Sequence, residues 1–212
     1  MARAVFVKSA QKAIYKNGKR VEYVSQKGKR IGQTLSKIDK TIPENENDEV
    51  FIAKGESYWW WAFQYGGKHF SKTQPKASQL TQSNYLSQLY DIQERLNEVQ
   101  VNSPGDVEFC IDEFKDEIEN LKDETDSSLQ NMPEQLQQVP TGELLQERID
   151  ALDNAISELE SIDCDYEEPD DEMIKEEIGD SCTDEEIEEK KNEKLQEWLD
   201  EKISEIQSIS LE

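Results

Sequence analysis

One histidine, three cysteines and 48 carboxylates are the side chains from which this 212-residue chain could build chemistry. Cys110, Cys164, Cys182 and His69 would supply a Cys3His zinc set, but such sites draw their ligands in close pairs, and no two of these four are close in sequence. The stretch "DCDYEEPDD" starting at Asp163 alternates carboxylates as a calcium loop does, yet Glu168 stands where that loop needs glycine and Ile174 where it needs a bidentate glutamate. His69 has no flanking acid, and neither a G-x-S-x-G nor a phosphate-binding glycine loop occurs. No catalytic residue, metal ligand or cofactor is therefore expected, and the chain reads as a binding protein rather than an enzyme.

Binding chemistry is concentrated near the N-terminus. "SYWWWAFQYGGKHFSK", Ser57 to Lys72, combines aromatic planes with cations, and "AIYKNGKRVEYVSQKGKRIGQ" before it carries six Lys and Arg residues. Lysine and arginine attract phosphates without regard to sequence, while exposed rings offer surfaces on which unpaired bases stack. The candidate nucleic-acid-binding residues are Lys16, Lys19, Arg20, Lys27, Lys29, Arg30, Trp59, Trp61, Phe63, Lys68 and Lys72. The competing explanation is a small β core that needs its tryptophans for volume.

Charge is divided along the chain. Met1 to Tyr90 hold 15 Lys and Arg against 7 Asp and Glu, a net of +8; from Asp91 onward 9 cations face 41 carboxylates, a net of −32. A basic half seeks phosphates and an acidic half repels them, so the second half calls for a different partner. Three unpaired cysteines point to a reducing cytoplasm. The N-terminal apolar run is too short for a signal peptide, no segment approaches a membrane span, and no membrane partner is expected.

The elements that must position these residues fall into two regions, an α+β arrangement. Residues 1–82 read as a basic, aromatic β-hairpin or meander module. Asn17-Gly18 marks one hairpin turn and Lys27-Gly28 a weaker one. A two-residue turn at Gly66-Gly67 would place Trp59, Trp61, Phe63, Tyr65 and Phe70 with Lys68 and Lys72 on one partly exposed face, and Tyr58, Trp60, Ala62, Gln64, His69 and Ser71 on the other. Residues 83–212 read as an acidic antiparallel helical coiled coil of three to four helices. Its seams step by 3 and 4: Tyr85, Leu89, Ile92, Leu96, Val99; then Val107, Ile111, Phe114, Ile118, Leu121; then Leu145, Ile149, Leu152, Ile156, Leu159. Ser103-Pro104 and the Thr183/Glu186 capping box mark helix starts. "DCDYEEPDDE" reads as a solvated loop too acidic to pack.

The hairpin "YWWWAFQYGGKHFSKTQPK", with its aromatic strand, Y-x-G-K turn and lysine-bearing second strand, resembles that of the N-terminal DNA-binding module of tyrosine recombinases, over about twenty residues and without a catalytic domain. Together with "SQLTQS" and "SLQNMPEQLQQVPTGELLQERIDALDNAI" it is similar to uncharacterised coiled-coil proteins of phages and bacterial genomes. The first resemblance implies DNA contact through the hairpin; the second implies a phage-associated protein and brings no activity. The expectation is a cytoplasmic adaptor that touches nucleic acid with its β module and associates through its helices, by which copies could also join. The alternative is an acidic module that mimics nucleic acid and inhibits a basic, DNA-binding host protein.

Overall fold

The computed structural model describes residues 1–23, 35–64, 67–179 and 183–211. The turn expected at Lys27-Gly28, the cations Lys27, Lys29 and Arg30, and Tyr65, Gly66 and Cys182 lie outside them. The chain is α+β and forms two compact units, Met1–Gln82 and Ser83–Glu212.

Among its described residues the first unit has seven short strands: β1 (Val5–Val7), β2 (Ile14–Tyr15), β3 (Lys19–Tyr23), β4 (Leu35–Asp39), β5 (Val50–Ile52), β6 (Tyr58–Phe63) and β7 (Gly67–Ser71). They pair as one three-stranded sheet, β1-β6-β7, and two ladders, β2-β5 and β3-β4, all antiparallel. Asn17-Gly18 is therefore not a hairpin turn: β2 leaves it to pair with β5 while β3 pairs with β4. Gly18 is buried at a corner between two ladders. Among the described residues one apolar cluster of this unit is Ala10, Ile14 and Ile52, with Phe51, Tyr58 and Phe70 packed on it.

The second unit contains α1 (Asn84–Asn97), α2 (Pro104–Gln130), α3 (Glu134–Gln137), α4 (Pro140–Glu160), α5 (Asp171–Ile178) and α6 (Asp184–Ser208). The expected seams form its core. Leu89, Ile92 and Leu96 of α1, Val107 to Leu121 of α2, and Leu152, Ile156 and Leu159 of α4 are buried together, joined by Leu199 and Ile206 of α6. Ser103 caps α2, its Oγ accepting the Asp106 N–H, and Thr183 with Glu186 closes the capping box of α6. Ion pairs fix direction as well. Lys115 meets Glu160 and Lys122 meets Asp153, each at 2.5 Å, so one heptad forward on α2 is one heptad back on α4 and the two run antiparallel. Arg95–Glu117 and Gln88–Glu124 repeat the same seven-residue step between α1 and α2. Gly142 lets α4 begin close against α3: a Cβ there would sit 2.2 Å from the Gln137 carbonyl oxygen.

The acidic break is not merely solvated. From Ile162 to Glu167 the chain is extended and alternates, Ile162, Cys164 and Tyr166 half-buried and Asp163, Asp165 and Glu167 exposed. Ile162 and Cys164 pack on the helical core, and Tyr166 lies against Trp198 with ring centroids 5.2 Å apart. Two-residue periodicity lets an acidic segment bury one side while its carboxylates stay in water. α5 follows, with Ile174 fully buried and Glu177 paired to Lys194 at 2.5 Å. Among the described residues no helix is long and apolar enough to cross a membrane.

Ile118, with no exposed surface, and Phe109, 70% exposed on the same helix, make a direct comparison. Ile118→Ala should cost about 2–5 kcal/mol in urea unfolding followed by far-UV circular dichroism. Phe109→Ser should change stability by no more than about 0.5 kcal/mol.

Candidate nucleic-acid interface

Hairpin register decides which aromatic rings share a face with which cations. Between β6 and β7 the partners are Trp59↔Ser71, Trp60↔Phe70, Trp61↔His69, Ala62↔Lys68 and Phe63↔Gly67. Three residues, not two, therefore connect the strands, and Gly67, with φ +75°, supplies the left-handed residue that closes a three-residue hairpin loop. The expected faces are corrected accordingly. Lys68 and Phe70 belong with Trp60 and Ala62, while His69 and Ser71 belong with Trp59, Trp61 and Phe63. β1 extends both faces, setting Val5 beside Trp60 and Phe6 beside Trp59.

Trp61 is buried, 5% exposed, and its ring stacks on His69 at 5.5 Å with planes 14° apart. It is thus a core residue of the sheet and presents no plane for a base. Its indole Nε1 is buried and has no hydrogen-bond partner among the described residues. His69 also takes the edge of the half-buried Phe63 at 5.3 Å, so the one histidine of the chain is held between two aromatic rings. Trp59 is half-buried beside Phe6, which is 48% exposed, with ring centroids 5.1 Å apart. On the opposite face the Lys68 ammonium stands 4.9 Å from the centroid of the half-buried Trp60, flanked by exposed Ala62 and by Val5.

Two of the other candidate cations are held by carboxylates. Lys16 pairs with Glu49 at 2.6 Å and Lys72 with Glu56 at 3.6 Å, both on exposed ground. The Ala53 N–H, and to a smaller extent Lys72, hold the Glu56 carboxyl below the usual range, so this counter-charge is present at neutral pH. Lys19 and Arg20 lie in β3 opposite Asp39 and Ile38. Lys68 stands over an aromatic ring rather than beside a carboxylate. The surface that combines ring and cation is therefore Val5, Trp60, Ala62 and Lys68, with Phe6 and Trp59 on the reverse side. Sequence reasoning set Lys68 and Phe70 on the wrong face, took the Trp61 side rather than the Trp60 side as the exposed one, and left Val5 and Phe6 out. The loop length misplaced Lys68 and Phe70, and a strand as short as Val-Phe-Val gives too little alternation to reveal Val5 and Phe6.

Among the described residues no group of three or more His, Cys, Asp and Glu side chains is placed to hold a metal ion. Cys110 and Cys164 are free, half-buried thiols, each pushed up in pKa first by burial and then by a neighbouring carboxylate, Glu113 and Glu108 respectively. Such thiols are poor nucleophiles. No family model, curated protein or solved structure matches this chain.

Trp61→Ala should cost about 3–5 kcal/mol in chemical unfolding followed by tryptophan fluorescence, whereas Trp60→Ala should cost less than about 2. Gly67→Ala meets no neighbour but must hold positive φ, and should cost about 1 kcal/mol by the same measurement.

Proposed function

We propose that this protein is a non-enzymatic nucleic-acid-associated binding protein whose β unit touches single-stranded nucleic acid while its acidic helices mediate association. The observation that carries the reading is the pairing of Lys68 with the half-exposed Trp60 ring, beside exposed Ala62. A cation beside an aromatic plane offers one group for a phosphate and one for a base, and neither depends on base identity. The basic charge of the first 90 residues would draw the polyanion in. On this reading the heptad-spaced helices act as a coiled coil that offers its acidic charge to a protein partner.

A second reading is favoured by the helical unit itself. Of its nine Lys and Arg residues, seven are in ion pairs within the unit and an eighth, Arg148, lies 4.3 Å from the Tyr85 ring centroid. Among the described residues these cations pair with only about ten of the carboxylates. A surface of this kind suits a basic protein, including one whose groove normally holds nucleic acid.

Filter binding of the full chain to single- and double-stranded oligonucleotides over a salt series tests the first reading. Single strands should bind more tightly, and affinity should fall as salt rises. Trp60→Ala and Lys68→Gln should each weaken single-strand binding by roughly five- to a hundredfold without loss of the fold. Absence of binding at low salt would overturn this reading and leave the second.

A further inference from the structure

Outside the β unit, the richest concave surface lies between the extended segment 162–167 and α6. It is an open groove of about 730 Å³. Its floor is aromatic, formed by Tyr166 and Trp198, whose planes meet at 54° with centroids 5.2 Å apart. Its two edges are acidic for separate reasons. On the segment, alternation turns Asp163, Asp165 and Glu167 outward because Ile162 and Cys164 are anchored in the core. On α6, Glu197 and Glu201 are one turn apart on the side that Trp198 shares.

Among the described residues none of these five carboxylates has a cation within ion-pair distance. The one cation lining the groove, Lys194, is held by Glu177 at 2.5 Å. Beyond the groove's far end Lys191 ties Glu168 and Asp171 to α6, which fixes the segment against the helix and keeps the groove open. The Tyr166 phenolic oxygen is buried without a hydrogen-bond partner, so this tyrosine serves the groove through its ring.

We infer that this groove binds an arginine side chain of a basic peptide segment on a partner protein. A guanidinium can stack on an aromatic face and at the same time give paired N–H donors to carboxylates on either side. Lysine offers the charge but neither the plane nor the fork, so the groove prefers arginine. This deepens the second reading above, from a diffuse acidic surface to a defined site.

The test is fluorescence anisotropy of dye-labelled hexa-arginine and hexa-lysine peptides against the full chain in low and moderate salt. Three proteins are compared: the unaltered chain, a groove variant (Asp165→Asn, Glu197→Gln, Glu201→Gln) and a control with equal charge removed elsewhere (Glu119→Gln, Glu143→Gln, Glu147→Gln). Both variants relieve like-charge repulsion and should keep their helical circular dichroism. The groove variant should bind hexa-arginine about tenfold more weakly, the control less than about twofold more weakly. Trp198→Leu, which keeps apolar volume on the core, should abolish the preference for arginine over lysine. Equal losses in groove and control variants would overturn the site while leaving the diffuse acidic surface standing. No preference for arginine in the unaltered chain would likewise remove the site, and no binding of either peptide at low salt would remove both.

Discussion

Self-repulsion governs the helical unit. With a net charge of −32 over residues 91–212, its helices can stay together only if burial of their seams outweighs the crowding of carboxylates. The few cations are placed where they oppose that crowding most. Arg95 joins α1 to α2, Lys115 and Lys122 join α2 to α4, and Lys190, Lys191 and Lys194 hold α5 and the segment before it on α6. Arg95 also lies 5.5 Å from the Phe114 ring centroid, so its stem covers part of the seam it clamps. Single exposed pairs contribute little to stability, but pairs set between elements also decide which helix faces which.

The described part of the β unit draws buried volume from its aromatic rings. Ala10, Ile14 and Ile52 form one apolar cluster, and Trp61 stacked on His69 fills a second site within the three-stranded sheet. Aromatic side chains are economical here because each covers a large area with few rotatable bonds. The three consecutive tryptophans are thus divided by the pleat, the middle one going to the Lys68 face and Trp61 to the buried side. Packing and contact surface are alternatives for individual rings, not for the stretch as a whole.

Much of the helical unit was legible in sequence because its signals are local and repeated. Heptad steps from Leu89 to Leu159 mark buried residues, and the caps at Ser103 and Thr183 mark helix starts. What sequence left hidden depends on distant partners or on one residue of spacing. Nothing near Asn17-Gly18 reveals that β2 will pair with β5, some thirty-five residues on. One extra residue in the β6–β7 loop moves Lys68 across the sheet, because side chains alternate at every step. The acidic segment after α4 was misread as solvated because its composition conceals the alternation that buries Ile162, Cys164 and Tyr166. For the candidate interface, residue types were readable and the face was not.

The ion pairs between α2 and α4 repeat at the same interval as the seam, so a slip by one heptad is only partly penalised. Sliding one helix by a heptad would bring Lys122 opposite Glu160 and keep apolar residues facing one another, while Lys115 would run past the end of α4 and lose its partner. The short connection adds a further constraint. Gly142 lies tight against the Gln137 carbonyl, and the Gln137 amide donates to the Leu129 and Met132 carbonyls at the end of α2, so the turn acts as a ruler for a pair of helices more than twenty residues long.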